Sequence, residues 1–207
     1  MNNKSFIIKV CGMRNEENIR AVESLGIDWM GFIFYPSSKR YVDVQPNYLP
    51  EKTRRVGVFV NESLATIVDK VALFSLDMVQ LHGNESPELC QQLQDRQVKV
   101  MKAFGIDDYF PSEKIAAFEG CCDYFLFDTH TSAYGGSGRK FDWDILQRYE
   151  GNTPFLLSGG IGSDDVSVIR KFSHPLCVGI DINSQFELSP ANKDIQSIQQ
   201  FINSLKQ

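Results

Sequence analysis

The feature that most constrains the fold is an alternation running the whole chain, in which short apolar, β-branched or aromatic runs are separated by stretches of helical period. Eight runs have strand character: Phe6 to Val10, Trp29 to Phe34, Arg55 to Val60, Met78 to Leu81, Val98 to Ala103, Tyr124 to Phe127, Pro154 to Leu157 and Leu176 to Ile180. Helix signals lie between them. Asn15 is placed to cap a helix with Ile19, Val22 and Leu25 on one face and Gly26 as its left-handed terminator. Leu64, Ile67, Val68 and Val71 form a second stripe, and Ser86-Pro87 reads as N-cap and first helical position ahead of Leu89 and Leu93. Ser163, with Asp164 and Asp165 in the first turn, opens a helix carrying Val166 and Ile169. Ile195, Ile198, Phe201, Ile202 and Leu205 mark the last one. The helical signal is weakest in the second unit, around Pro46 to Thr53, and in the fifth, around Ser112 to Phe118.

Eight strand-helix units in 207 residues allow about 26 residues per unit, the lower end of the range for a closed parallel barrel. Residues 1–207 are therefore expected to form a single compact α/β domain, a (β/α)8 TIM barrel, with no room for a second domain. An open doubly wound sheet would normally carry a Gly-x-Gly-x-x-Gly turn after its first strand or a Gly-x-x-x-x-Gly-Lys loop. Here Cys11-Gly12-Met13 follows the first strand, and neither pattern occurs in the chain.

Composition removes several function classes. A formal charge of -5 disfavours general nucleic-acid binding, and 43% hydrophobic residues suffice for a sizeable core. No apolar run reaches the roughly 18 residues of a membrane span, and the start of the chain lacks a signal-peptide core. Cys11, Cys90, Cys121, Cys122 and Cys177 are odd in number and irregular in spacing, which argues against a disulfide framework. His82, His130 and His174 are isolated, so no metal site is expected. These features together suggest a cytoplasmic protein without membrane or nucleic-acid partners.

In a barrel of this kind the site is built at the carboxyl ends of the strands. The residues there are Cys11, Ser37 to Arg40, Asn61, His82-Gly83, Phe104-Gly105, Asp128, Ser158-Gly159-Gly160 and Asp181 to Ser184. A thiol, an arginine, a histidine and two aspartates would thus converge on one mouth. Three glycine or small-residue clusters suit phosphate, because backbone N–H groups approach an anion closely only where no Cβ intervenes. They are Gly159-Gly160 with the following helix start, Asp181 to Ser184, and Gly135-Gly136-Ser137-Gly138. Each taken singly could be an ordinary turn. Likewise, Cys11 could be core packing, Asp128 a cap, Arg40 a solvated charge, and His82 either a substrate contact or a histidine satisfying loop carbonyls.

The segments Lys9-Val10-Cys11-Gly12-Met13, Gly31-Phe32-Ile33-Phe34 with Ser37 to Val42, Val56-Gly57-Val58-Phe59-Val60, Gln80-Leu81-His82-Gly83, Gly135 to Gly138 with Phe141-Asp142-Trp143, and Leu157 to Ile161 occur in one order along the chain. In this the sequence resembles the phosphoribosylanthranilate isomerase family of tryptophan biosynthesis. That family converts N-(5-phosphoribosyl)anthranilate to carboxyphenylamino-deoxyribulose phosphate, an Amadori rearrangement, without a cofactor. The resemblance implies Asp128 as the acid that protonates the opening furanose oxygen and Cys11 as the base that removes the C2 proton. It implies Arg40 as the contact of the anthranilate carboxylate; Gly135, Gly136, Ser137, Gly159, Gly160, Asp181 and Ser184 are the expected phosphate-binding residues, and His82 stays open between a substrate contact and a histidine satisfying loop carbonyls. The partner is then one small phosphorylated molecule, with the protein a monomer or a homodimer. A thiol base needs a lowered pKa, for which Lys9 or Arg40 is near in sequence or place.

Competing barrels fit less well: a metal-dependent epimerase lacks its ligands here, and indole-glycerol-phosphate synthase would carry a lysine where Cys11 stands. A catalytically silent barrel is the reading from a different class. The chain departs from the family where Asp-Val-Ser-Ser-Gly-Val-Glu becomes Asp181-Ile182-Asn183-Ser184-Gln185-Phe186-Glu187, and where Pro-Gly-x-Lys-Asp becomes Pro190-Ala191-Asn192-Lys193-Asp194. Either lost glycine is expected to strain the backbone if its φ is positive.

Overall fold

A computed structural model describes residues 6–129 and 141–206. Eight parallel strands close into a barrel in sequence order: β1 Ile7–Val10, β2 Trp29–Ile33, β3 Arg54–Phe59, β4 Met78–Leu81, β5 Lys99–Ile106, β6 Tyr124–Thr129, β7 Phe155–Leu157 and β8 Cys177–Ile182. β8 pairs back onto β1, with Lys9 opposite Asp181. The outer layer holds α1 Glu16–Glu23, α2 Leu64–Phe74, α3 Pro87–Gln94, α4 Ser112–Ala116, α5 Val166–Lys171 and α6 Ile195–Lys206. A short antiparallel pair, β9 Glu187–Ser189 and β10 Asn192–Lys193, follows β8.

Local signals explain these elements. The Asn15 side chain accepts from the Asn18 amide at 3.0 Å, and α1 buries Ile19 and Val22. Gly26 then sits at φ +72. The Ser63 hydroxyl accepts from the Thr66 amide at 3.1 Å to open α2. The expected helix around Pro46 to Thr53 is absent. Pro46 and Pro50 remove donors there, and the amides of Lys52 and Thr53 instead donate to Glu23 of α1. The fifth unit keeps one short helix. β5 runs on through Phe104-Gly105, which were expected in a loop, so that Gly105 pairs with Asp128 within the ladder.

Two apolar layers result. Most buried side chains lie between strands and helices, while Trp29, Val56, Met78, Met101, Ala103, Leu126 and Leu156 fill the barrel interior toward its amino-terminal end. Polar residues take over the interior positions above them. β8 reaches this arrangement through a bulge: Phe155 faces Cys177, but the next residue, Leu156, faces Gly179. The extra residue, Val178, resets the alternation, so Asp181 and Asn183 point inward where a regular strand would turn them out. Gly179 permits the seam to close, since a Cβ there would lie 2.2 Å from the Ile7 carbonyl oxygen.

Candidate active site

A cavity partly open to solvent lies at the carboxyl ends of the strands. Its lining brings together Cys11 from the end of β1, Arg40 from the loop after β2, His82 after β4, Asp128 in β6, Gly159 and Gly160 after β7, and Ser184 after β8. Gly135, Gly136 and Ser137 lie outside the described residues. The walls include Ile33, Val58, Val60 and Ile161, an apolar surface suited to a flat ring.

Cys11 is held by glycines on both sides. Its amide donates to Ile182 O at 2.9 Å, and the amides of Gly12 and Met13 both donate to Gly31 O. A Cβ on Gly31 would stand 2.6 Å from the Cys11 sulfur. Gly12 sits at φ +78, and a Cβ there would meet Arg40 Cδ at 2.6 Å and Asn183 Oδ1 at 2.8 Å. The Cys-Gly-Met turn therefore requires its glycine twice over, for its dihedral and for close approach. Lys9, two residues before Cys11 on β1, is fully buried, with Nζ 2.8 Å from Asp181 Oδ1.

Lys9 pulls the Cys11 thiol pKa down as expected, and Lys193 does the same, but burial outweighs both and leaves the thiol above its ordinary value. Asp181 lines the same cavity, where its carboxylate is the counter-ion of Lys9, with Ser158 Oγ at 3.5 Å.

Across the mouth, Asp128 Oδ2 lies 3.4 Å from His82 Nε2. Gln80, two residues before His82 and on the same face of β4, places Nε2 2.8 Å from His82 Nδ1. Gln80 is buried in the cavity wall, and its Oε1 has no hydrogen-bond partner among the described residues. His82 is therefore neither loose nor a satisfier of loop carbonyls; it is oriented toward the Asp128 carboxylate. Its loop is pinned by a second network missed in the sequence. Glu85 accepts from the amides of Asn61 and Gly83, and the buried Lys102 ammonium donates to Glu85 and to the carbonyls of Leu81 and Gly83.

Gly159 and Gly160 have φ of +92 and +67, and their amides, like that of Ser184, donate to no partner among the described residues. A Cβ on Gly159 would lie 2.3 Å from Thr129 Oγ1 and 3.1 Å from Asp128 Oδ1, so this glycine also keeps the end of β6 in place. The two departures from the family pattern separate here. Gln185 lies in a single 3₁₀ turn, Ser184–Phe186, and is not at positive φ, so the strain expected there is absent. Ala191 does sit at φ +65, where its missing glycine would have been at ease.

Arg40 is anchored rather than free. Glu187 accepts from its Nε at 2.9 and 3.0 Å and from its Nη2 at 2.6 Å, and Lys193 Nζ donates to the same carboxylate at 2.7 Å. Glu187 closes the segment Asp181 to Glu187, so its position was visible in the sequence, but its pairing with a residue 147 positions away was not.

A closed (β/α)8 barrel whose mouth joins a thiol, a carboxylate, an imidazole and an anchored guanidinium beside glycine amides defines the class, a barrel enzyme with its site at the carboxyl ends of the strands. The particular family follows from comparison. The family model for N-(5'phosphoribosyl)anthranilate (PRA) isomerase matches residues 8–204. An N-(5'-phosphoribosyl)anthranilate isomerase of Phocaeicola vulgatus is 54% identical over 98% of both chains, and one of Parabacteroides distasonis is 49% identical over 97% of this chain and 93% of that one. Among solved structures, the phosphoribosyl anthranilate isomerase of Thermotoga maritima superposes with a TM-score of 0.79 at 34% identity over 97% of this chain and 98% of that one. Another, in complex with reduced 1-(o-carboxyphenylamino)-1-deoxyribulose 5-phosphate, gives a TM-score of 0.81 at 33% identity, with the same coverage of both chains. The chain belongs to the N-(5'-phosphoribosyl)anthranilate isomerase family.

Proposed function

We propose that this chain carries out the family's reaction, the Amadori rearrangement of N-(5'-phosphoribosyl)anthranilate in tryptophan biosynthesis, with Asp128 as general acid and Cys11 as general base. The observation that carries this reading is the placement of both side chains on one cavity, from β6 and β1, with glycine amides between them in the loop after β7. Asp128 protonates the furanose oxygen as the C1–O bond breaks, and the anthranilate nitrogen lone pair forms the iminium. The Cys11 thiolate then removes the C2 proton, and the C–H electron pair becomes the enolamine double bond, which tautomerises to the ketone. General acid and base roles are each worth about 10²- to 10⁴-fold in rate.

Burial disfavours the thiolate of Cys11, whereas the Lys9 charge favours that form, so the base is drawn from a small thiolate population that a fixed cation helps to sustain. His82 lies close enough to Asp128 to return a proton to it between turnovers. The amides of Gly159, Gly160 and Ser184 take the phosphate, and Gly135, Gly136 and Ser137, which follow β6 in sequence, are assigned to the same group. The apolar wall of Ile33, Val58 and Val60 takes the anthranilate ring, and Arg40 takes its carboxylate. These roles need no metal or cofactor, and we place the whole chain, residues 1–207, in one catalytic domain in the cytoplasm.

The test supplies the purified protein with phosphoribosylanthranilate formed in situ and follows loss of anthranilate-type fluorescence without added metal or nucleotide. Steady consumption supports the reading. An inert protein that nevertheless binds a product analogue would instead favour the catalytically silent barrel.

A further inference from the structure

Arg40 reaches the cavity from the loop after β2, yet the group that fixes its direction comes from the far end of the chain. Glu187, at the start of β9, occupies the Nε–Nη2 edge of the guanidinium at 2.6 to 3.0 Å. A guanidinium has five N–H donors in a rigid plane, so an acceptor on that edge leaves the Nη1 hydrogens and one on Nη2 for a second acceptor. Among the described residues, Nη1 has no hydrogen-bond partner. Glu187 is itself fixed: its Oε1 also accepts from Lys193 Nζ at 2.7 Å and from the Ala191 amide at 3.1 Å. Lys193 is fully buried and donates further to Asn183 Oδ1 at 2.6 Å, while its own backbone is clasped by Asn18 of α1.

Two cations share one carboxylate, which leaves the cluster with one unit of positive charge facing the cavity. The arrangement also accounts for the strained Ala191: its left-handed conformation aims an amide at Glu187, in the turn that brings Lys193 back beneath the site. From this geometry we propose that Glu187, braced by Lys193, is a positioning and specificity residue, which turns the free edge of Arg40 toward the carboxylate of the substrate's aromatic ring. The inference rests on the assignment of Arg40 to that carboxylate, and the experiment below separates the two.

The probes are phosphoribosylanthranilate and the same amino sugar made from ribose 5-phosphate and aniline, which lacks only the ring carboxylate. The measured quantity is the ratio of kcat/KM for the two in a single protein preparation, so that partial unfolding of a variant cancels. Arg40→Ala should lower the ratio by about tenfold or more, the scale of a lost charge-assisted pair. Glu187→Gln should lower it about three- to tenfold, mainly through a higher KM for the carboxylated substrate. If Arg40→Ala lowers the ratio but Glu187→Gln reduces activity toward both substrates equally, Glu187 is merely structural and the inference is overturned while the Arg40 assignment stands. If Arg40→Ala leaves the ratio unchanged, the carboxylate assignment fails and the inference fails with it.

Discussion

Lys9→Met removes one charge from the centre of the site at nearly constant length, and its consequences can be worked from the geometry. Lys9 is fully buried 2.8 Å from the Asp181 carboxylate. At an effective dielectric of about 20, that separation corresponds to about 6 kcal/mol of gross attraction, much of it offset by the desolvation of both ions. What the variant exposes is the cost of leaving Asp181 buried without its counter-ion, with Ser158 Oγ at 3.5 Å as its remaining side-chain partner among the described residues. Removing one partner of such a pair costs about 3–5 kcal/mol, a large share of the roughly 5–15 kcal/mol that holds a domain together. Urea denaturation followed by the fluorescence of the interior Trp29 measures this loss, and adding Asp181→Asn should recover a substantial part of it.

The same substitution acts on catalysis with a defined sign. Lys9 lowers the Cys11 pKa against the upward push of burial, so without it the thiol rises further. Because kcat/KM grows as the thiolate forms, the rising limb of its pH profile should move to higher pH in Lys9→Met. A stability loss below about 1 kcal/mol, or a limb that stays put or moves to lower pH, would refute the reasoning.

Three further outcomes follow from the packing and the charges. Gly159→Ala should cost about 2–4 kcal/mol and depress kcat, because its Cβ would press on Thr129 and Asp128 as well as strain the backbone. Gly26→Ala, at φ +72 with nothing within 4 Å of the added Cβ, should cost only about 1 kcal/mol in chemical denaturation and leave kcat alone. For Glu187, burial raises the carboxyl pKa, but Arg40 and Lys193 outweigh it and hold the group below the usual carboxylate range. A depressed pKa gives stability that is complete above the unfolded value, near 4.3, and is lost as pH falls through the folded value. Acid titration of stability should therefore fall less steeply below about pH 4.5 in Glu187→Gln than in the parent.

Much of this molecule is legible along the chain because its information is local. Strand runs, the Asn15 cap and the glycine turns are contained within a few residues each. The mouth residues follow once the strands are counted, since a barrel rule converts position in sequence into position in space. What escapes is set by pairings between distant segments and by small breaks in periodicity. The bulge at Val178 turns Asp181 inward toward Lys9, and alternation alone gives no sign of it. Gln80 was visible as a polar residue two positions before His82, at an interior step of an apolar strand, but its partner could not be read from spacing. The Glu187–Arg40 and Lys102–Glu85 pairs join different loops or strands, and of the two lost glycines only Ala191 falls at positive φ, while Gln185 has an ordinary dihedral. Burial of Cys11 by its neighbours, which reverses the expected direction of its pKa, is likewise a property of the assembled mouth.

The most direct measurement is steady-state kinetics on phosphoribosylanthranilate for Cys11→Ala and Asp128→Asn, compared with the parent protein. If a sulfur and a carboxyl divide the proton transfers between them, each variant should lose about 10²- to 10⁴-fold in kcat with KM little changed. Near-parental kcat in either variant, or a loss confined to KM, would contradict the account.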